Sequence, residues 1–302
     1  MSGQKSIVEF FKFRPQTTIL NAFELTGITL FTGKIVRCKF YPALPDTGIV
    51  FKRVDLPYAP SVQARAKNVV ATPRCTVIGE NNATVQLVEH LLSAIYGLGI
   101  DNLIIEIDGP EVPIFDGSSS TFVDSFLQAN TVLLAAQKPI FKLIESISCD
   151  NNNTSVLAEV SGQLKFSYLL HYDATGVLEH QEHEFIFESQ AFHEQISSCR
   201  TFSSFEEIQP LLEKGFIRGG SLENGIIVKD GRVLNESGLR FPNEMARHKV
   251  LDMIGDLCLI GHDIIASFKG DRSGHAQTTK LAQILESHID KYLEQLPYVV
   301  QE

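Results

Sequence analysis

The 302-residue sequence has no tryptophan, and its five cysteines are widely spaced without a CxxC pair. Such cysteines form neither a disulfide framework nor a thiolate zinc knuckle, so a reducing compartment is expected. Positively charged residues are fewer than negatively charged ones: 26 Lys and Arg against 36 Asp and Glu give a net charge of −10. This negative charge argues against a nucleic-acid partner. No apolar run reaches the roughly 18 to 20 residues of a membrane span. Neither a secretory leader nor a Walker A motif occurs, and the sequence predicts a soluble cytosolic protein.

In the first half, segments rich in β-branched and aromatic residues alternate with stretches of helical apolar spacing. Strands are predicted near 17–26, 34–41, 49–54 and 102–107, and helices over 84–96 and from 118–120 onward. Gly97 and Gly99 are expected to end the first of these helices. The order of the elements predicts a mixed α+β domain.

After the polar stretch 137–139, the same plan repeats. Strands are predicted near 141–147, 154–160, 163–171, 184–188 and 263–268, and helices over 243–260 and 276–289. When the two halves of the sequence are aligned so that Gly109 matches Gly270, the apolar strands before these glycines also align. This indicates two similar halves, and chance similarity of two apolar strands is the alternative. We expect an α+β fold with domains at 1–137 and 138–302 and an insertion near 203–235.

The segment His248 to Asp256 combines apolar residues with polar ones at i, i+4 spacing. At about 100° per residue, His248, Asp252 and Asp256 project from one side of a helix, and the apolar residues occupy the other. An imidazole and a carboxylate one turn apart can bind the same metal ion. The alternative is a solvated polar face with an ordinary His–Asp pair.

Glu89 and His90 are neighbours within a strongly apolar stretch. A charged carboxylate is costly to bury without a partner, so this pair indicates a function, and a metal ion would supply the partner. His90 would complete a set of two His and one Asp with an open position, and Glu89 could act as general base beside a metal-bound water. A half-exposed position at a helix edge is the alternative.

Two further histidine motifs are candidates. His275 precedes the last predicted helix, where the helix N-terminus would lower its pKa unless a carboxylate such as Asp256 compensated. His180 and His183 have the i, i+3 spacing of a metal-binding pair, but their surroundings are polar and acidic. We interpret this segment as an exposed turn between strands.

The chain also carries short motifs in a characteristic order. They are Thr32 to Lys34, Val88 to Leu91, Gly97 to Asn102, Pro110 to Ser118, Cys199 to Phe202, Gly219 to Ser221, Val233 to Glu236, Gly238 to Phe241, His248 to Asp256 and Ser273 to Ala276. In this order and spacing they resemble the UDP-3-O-acyl-N-acetylglucosamine deacetylase (LpxC) family of lipid A biosynthesis. The similarity covers almost the whole chain.

The resemblance implies a metal set and a catalytic set at positions that match the family's motifs. The metal set comprises the zinc ligands His90, His248 and Asp252. The catalytic set comprises the general base Glu89, the catalytic histidine His275, the carbonyl-polarising Thr201, and the supporting residues Lys249 and Asp256. The implied cofactor is one catalytic Zn²⁺ ion, with Fe²⁺ as the alternative.

The implied reaction removes the N-acetyl group of UDP-3-O-[(3R)-3-hydroxyacyl]-N-acetylglucosamine, which yields a free amine and acetate at an early committed step of lipid A biosynthesis. The implied fold packs the helices of two domains between their sheets. The insert near 203–235 is expected to form a hydrophobic passage for the acyl chain. We expect a UDP-linked acylated amino sugar as substrate, no nucleic-acid partner, no transmembrane segment, a monomer, and a location in the bacterial cytoplasm.

Some residues depart from the family pattern, and two rival functions stay open. Phe31, Ser203 and Arg272 differ from residues common in the family, which bears on contacts with the substrate. Two His and one carboxylate also suit non-haem Fe(II) oxygenases, although an adjacent Glu favours hydrolysis. The second rival is a binding protein that retains the fold without activity, and the intact candidate residues argue against it.

Overall fold

The computed structural model describes residues 6–172 and 176–295. The first half comprises strands β1 (Val8–Ile19), β2 (Phe23–Ile28), β3 (Ile35–Pro42), β4 (Ile49–Arg53), β5 (Ser61–Gln63), β6 (Val69–Ala71), β7 (Val77–Glu80), β8 (Ala83–Gln86) and β9 (Leu103–Ile107), and helices α1 (Glu89–Gly97) and α2 (Ser120–Ala129). The chain continues with β10 (Thr131–Leu143), β11 (Ile147–Asn151), β12 (Thr154–Glu159), β13 (Lys165–His171), β14 (His180–Ile186), α3 (Ser189–Gln195), β15 (Phe202–Ser204), α4 (Phe205–Glu213), β16 (Ile226–Lys229), β17 (Arg232–Val233), α5 (Glu244–Cys258), β18 (Asp263–Ile265), β19 (Ser267–Asp271) and α6 (His275–Glu294). None of the helices in these ranges combines the length and the hydropathy that a membrane-spanning helix requires.

The two halves build five-stranded sheets of the same design. The strand orders are β2-β3-β9-β4-β5 in the first half and β11-β12-β19-β13-β14 in the second. The central strand of each sheet, β9 or β19, is antiparallel to one neighbour and parallel to the other. In each half, one helix precedes the central strand and another follows it. This repetition confirms the predicted α+β fold of two similar halves.

One hydrophobic core joins both sheets and helices α1, α2, α5 and α6. Phenylalanine supplies much of its volume, and Phe40 of β3 shows how. The ring of Phe40 stacks on Phe23 and meets the edge of Phe126 from α2, with ring centroids 4.5 and 5.4 Å away. Helices α5 and α6 pack on the second sheet, and α1 packs on α5, so the helices lie between the two sheets.

The helix predicted over 84–96 begins later in the structure. The first residues of this range form β8, and Leu87 has a φ of +61°, so the helix starts only at Glu89. The prediction is wrong here because Val85 of the strand and Val88 before the helix are buried in the same core as the helix itself. Apolar residues of a strand and a helix that share one core can imitate continuous helical spacing.

The segment with His180 and His183 was predicted to be an exposed turn, and this prediction is wrong. The segment forms β14, which pairs antiparallel with β13 at the edge of the second sheet. Gln181 and Phe185 are buried, whereas the polar residues between them are exposed or half-buried. This pattern is typical of an edge strand with one solvent-exposed face. Because side chains alternate along a strand, residues three apart face opposite sides of the sheet, so these two His cannot bind one ion.

The polar stretch 137–139, predicted to separate the domains, lies inside β10. Strand β10 pairs antiparallel with β1 and parallel with β18, so strands from both ends of the chain meet on it. The division into domains at 137/138 stays a prediction.

Four charged side chains connect β1 with both halves of the molecule. Arg14 donates two hydrogen bonds to Asp101, at 2.7 and 2.8 Å, and one to Asp263, at 2.6 Å. Lys138 of β10 lies 2.7 Å from Asp101 and 3.2 Å from Asp263. Burial alone would raise the pKa of Asp263, but Lys138 and Arg14 lower it to about 2. The cluster therefore stabilises the fold only while its carboxylates are ionised.

Replacing Asp263 with Asn should lower the free energy of unfolding by about 2 kcal/mol near neutral pH, since each unit of pKa shift corresponds to about 1.4 kcal/mol. The pKa in the folded state lies below that in the unfolded state. The contribution is therefore present above about pH 4 and is lost as the pH falls toward about 2. Urea unfolding of both proteins at each end of this range measures it, and an equal difference at both ends would contradict the assignment.

Candidate metal centre and active site

Helices α1 and α5 cross at very short range, and this crossing builds the site. A Cβ atom at Gly255 of α5 would lie 2.0 Å from the carbonyl oxygen of Glu89, so only glycine fits there. Glu89 and His90 occupy the first turn of α1, and His248 and Asp252 lie on α5. The close approach therefore brings chemical groups from the two halves of the chain together.

The predicted metal set forms a compact, buried cluster. One ligand atom each from His90, His248 and Asp252 can be chosen so that all lie within 4.8 Å of one another. The Nε2 atoms of His248 and His90 lie 3.2 and 3.6 Å from Asp252 Oδ1. A tetrahedral zinc ion with bonds of about 2.0 to 2.1 Å needs ligand atoms roughly 3.3 Å apart, so the spacing fits such an ion.

Hydrogen bonds around the cluster leave its inner atoms available to a cation. His248 Nδ1 lies 3.0 Å from the carbonyl oxygen of Cys199, which can only accept, so Nδ1 carries a proton. In the tautomer that binds a metal, Nε2 then carries the lone pair. That lone pair faces Asp252 Oδ1, a buried atom without a hydrogen-bond partner among the described residues. Lys249 Nζ donates to the other oxygen, Oδ2, at 2.7 Å. A metal ion would satisfy both facing lone pairs, so these residues fit one.

A second group of side chains adjoins the metal set. His275 Nε2 lies 3.7 Å from Glu89 Oε1, and His275 Nδ1 lies 2.9 Å from Asp256 Oδ2. Burial raises the pKa of Glu89 above its usual range, against the opposing charges of His275 and His90. Burial alone would lower the pKa of His275, but Asp256 and Glu89 raise it to about 9. The group thus pairs a carboxylate that can take a proton with an imidazolium that can give one.

Thr201 directly precedes β15. Its backbone N–H donates to the carbonyl oxygen of Gly117 in the first half, at 2.7 Å. It stands between Cys199, whose carbonyl orients His248, and Phe202, whose ring centroid lies 6.2 Å from that of His248. The backbone of Thr201 is thus hydrogen-bonded to Gly117 of the first half and to Ile226 of the second, beside residues that contact His248.

Comparison with known proteins places this site in a family. A sequence model described as UDP-3-O-acyl N-acetylglycosamine deacetylase matches residues 16–287. The chain belongs to this deacetylase family. The match includes every residue of the predicted metal and catalytic sets, and it begins after the first part of β1.

Curated relatives agree with the family. The UDP-3-O-acyl-N-acetylglucosamine deacetylase of Haemophilus influenzae (strain PittEE) is 38% identical over 268 residues, which cover 88% of this chain and 88% of the relative. The protein of the same name from Blochmanniella floridana is 40% identical over 269 residues, with 88% and 90% covered. The one from Geobacter sp. (strain M21) is 38% identical over 277 residues, with 92% and 90% covered. The family predicted from the sequence motifs is confirmed.

The structure brings the predicted deacetylase residues together around the crossing of α1 and α5. The metal set lies at the crossing itself, with Lys249 beside it. Glu89, His275 and Asp256 adjoin it: His275 is hydrogen-bonded to Asp256 and lies 3.7 Å from Glu89. Thr201 is the sequence neighbour of Phe202, whose ring lies next to that of His248. The position of each residue is a structural finding, whereas its role stays a prediction.

The three departures from the family pattern have identifiable surroundings. Phe31 is half-buried, and its backbone N–H donates to Glu111 at 2.7 Å. Ser203 Oγ donates to Glu207 of α4 at 3.3 Å. Arg272 has a φ of +52°, and its Nε donates to the neighbouring Asp271 at 2.9 Å.

Two residues that sequence analysis did not single out hold parts of the site. Thr76 contacts both Glu89 and Asp256, which lie 13 and 180 positions away along the chain. The buried hydroxyl of Tyr168 donates to the carbonyl oxygen of Ser273, two residues before His275. No local pattern relates such distant positions, so only the folded chain shows these contacts.

Proposed function

We propose that the protein hydrolyses the N-acetyl group of UDP-3-O-[(3R)-3-hydroxyacyl]-N-acetylglucosamine, an early step of lipid A biosynthesis that releases acetate and leaves a free amine. One observation carries the proposal: Glu89, buried and with a raised pKa, adjoins the cluster of His90, His248 and Asp252. A poised carboxylate beside a metal site is what hydrolysis by water requires. The names of the curated relatives support this substrate.

The proposed cofactor is one zinc ion held by His90, His248 and Asp252. Two imidazole nitrogens and one carboxylate oxygen form a donor set that catalytic zinc accepts, with a position left for water or substrate. When bound, zinc supplies a Lewis acid that polarises the acetyl carbonyl and lowers the pKa of water. Ferrous iron accepts the same donors and is the alternative, and metal analysis of the purified protein separates the two.

Glu89 is the proposed general base. Its Oε2 accepts a hydrogen bond from the backbone N–H of Thr76 at 3.0 Å, which leaves Oε1 to take a proton from the attacking water. The raised pKa of Glu89 lets this carboxylate hold the proton until it is passed on.

The other residues stabilise charge and move protons. His275 is an imidazolium over most of the accessible pH range, since its pKa is raised to about 9, so it can stabilise the oxyanion and deliver a proton to the leaving amine. The Thr201 hydroxyl is proposed to donate a hydrogen bond to the same oxyanion. Lys249 holds Asp252 Oδ2 and thereby leaves Oδ1 facing His90 and His248, where it would bind the metal.

The inserted segment is the proposed passage for the acyl chain. Helix α4 has no buried residue, although it carries several apolar side chains. Leu212 of α4 and Phe216 and Leu222 beyond it are 45%, 59% and 47% exposed. Several exposed apolar side chains in one segment favour a binding surface for an apolar group. A 3-hydroxyacyl chain is such a group.

The organisation of the protein is proposed as two domains divided at 137/138, acting as a monomer in the bacterial cytoplasm. Each half builds its own five-stranded sheet, which supports the division. The metal set and the His275–Asp256 pair are complete within one chain, so the proposed activity does not require a second copy. Light scattering during size-exclusion chromatography tests the oligomeric state.

The proton-donor role of His275 predicts how activity changes with pH. His275 is active as an imidazolium, so kcat/KM should fall as the pH rises through its pKa of about 9. Replacing Asp256 with Asn removes the nearest carboxylate, which should lower this pKa and move the basic limb of the profile by about one unit or more to lower pH. The pH dependence of kcat/KM for both proteins measures the shift, and an unmoved basic limb would refute the pairing.

The direct test of the proposed function is a product assay. The purified, zinc-loaded protein is incubated with UDP-3-O-(3-hydroxyacyl)-N-acetylglucosamine, and acetate and the free amine are followed by mass spectrometry. Both products should appear in equal amounts. UDP-N-acetylglucosamine, which lacks the acyl chain, should react much more slowly because the insert has nothing to bind. Tight binding of the substrate without release of acetate would instead indicate a binding protein.

A further inference from the structure

Thr76, Glu89, His275 and Asp256 form a closed ring of contacts. The backbone N–H of Thr76 donates to Glu89 Oε2 at 3.0 Å, and its hydroxyl donates to Asp256 Oδ1 at 2.5 Å. The second oxygen of Asp256 lies 2.9 Å from His275 Nδ1, and the second oxygen of Glu89 lies 3.7 Å from His275 Nε2. Each carboxylate therefore has one oxygen toward Thr76 and the other toward His275.

Three members of this ring are buried, and the ring spans both halves of the molecule. Thr76 has no exposed surface, and Glu89 and Asp256 are each 1% exposed, so bulk water does not readily replace a lost contact between Thr76 and Asp256. Thr76 immediately precedes β7 of the first half, whereas Asp256 lies on α5 of the second half. A buried carboxylate keeps its orientation only while its oxygens are hydrogen-bonded.

From this geometry we infer that Thr76 is a positioning residue that fixes the two carboxylates on either side of His275. The inference rests on the proposed function, because it assigns Glu89 and His275 to proton transfer. The backbone N–H orients the base, and the hydroxyl orients the carboxylate that holds the imidazole. Both donors belong to Thr76, so this single residue fixes the position of the Glu89 carboxylate relative to the His275 imidazole.

The hydroxyl can be removed without changing the shape of the side chain. In Thr76→Val a methyl group replaces the donor, so Asp256 Oδ1 loses its partner and the carboxylate can turn away from His275. Thr76→Ser keeps the donor and loses only a methyl group. Thr18→Val is the matched control, because Thr18 is also buried and its hydroxyl donates to the carbonyl oxygen of Asn102 at 2.6 Å.

The experiment measures kcat, KM and zinc content of these variants with the acylated UDP-sugar. We expect Thr76→Val to lower kcat by about 10- to 100-fold, by analogy with residues that orient metal ligands. KM should stay within a factor of about 2 and zinc should stay at one per chain, because the metal set is untouched. Thr76→Ser should restore kcat to near the wild-type value, and Thr18→Val should leave it unchanged.

A second measurement does not depend on turnover. The NMR signal of the His275 Nδ1 proton reports its contact with Asp256, and it should shift in Thr76→Val but not in Thr76→Ser. Wild-type kcat in folded Thr76→Val, or equal losses in the Val and Ser variants, would overturn the inference. If Thr76→Val does not fold, Thr76→Ala removes the same hydroxyl and carries the same expectation. An inactive wild-type protein would refute the proposed function, and the NMR comparison would still decide the role of Thr76.

Discussion

Replacing Glu89 with Gln should lower kcat for deacetylation by about 10²- to 10⁴-fold, the usual contribution of a general base. Gln has the same shape and can still accept the hydrogen bond from the backbone of Thr76, so the local structure should persist. It has no basic oxygen that could take a proton from water. The metal ligands are unchanged, so zinc should remain bound at one ion per chain.

Steady-state kinetics and metal analysis of the Glu89→Gln variant measure both parts of this expectation. Glu286→Gln is a suitable control, because Glu286 is also buried and accepts a hydrogen bond from the backbone of Lys67 at 2.7 Å, on a different part of α6 from His275. It should retain wild-type kcat. Full activity of Glu89→Gln, or loss of its zinc, would refute Glu89 as the base.

Replacing His90 with Ala should remove both the metal and the activity. Changing a residue that only orients a metal ligand typically costs about 10- to 100-fold in metal affinity, and removing one of three ligands should cost more. Two ligands on α5 would remain, but the cluster would lose its connection to α1. Dialysis against buffered zinc followed by elemental analysis measures the affinity.

His183→Ala is the control for this experiment. His183 is half-buried on β14, and its Nε2 has no hydrogen-bond partner among the described residues, yet it lies outside the metal cluster. This variant should keep its zinc and its activity. The reverse outcome, with zinc lost from His183→Ala and kept in His90→Ala, would indicate that the metal binds at β14 and not at His90, His248 and Asp252.

The sequence was most informative where one helix carries several functional residues. His248, Asp252 and Asp256 share a helix face, and the structure shows that this face is buried against α1. The adjacent pair Glu89 and His90 was also identifiable, because charge in an apolar stretch needs a partner. In both places, helical periodicity and residue chemistry led to the same candidates.

Contacts between distant segments could not be predicted in the same way. The carbonyl oxygen of Cys199 lies 49 positions from His248, and its role depends on backbone direction and not on residue type. The close crossing at Gly255 likewise appears only when two helices meet. The start of α1 was placed too early for a related reason, since β8 and α1 share one core and their apolar residues merge into one pattern.

The most direct test of the whole account is a zinc titration of chelated protein, with release of the free amine from the acylated UDP-sugar as the readout. The account predicts no activity before zinc is added and a linear rise that stops at one zinc per chain. His90→Ala should stay inactive throughout the same titration. Full activity in the chelated wild-type protein would contradict a metal-dependent deacetylase.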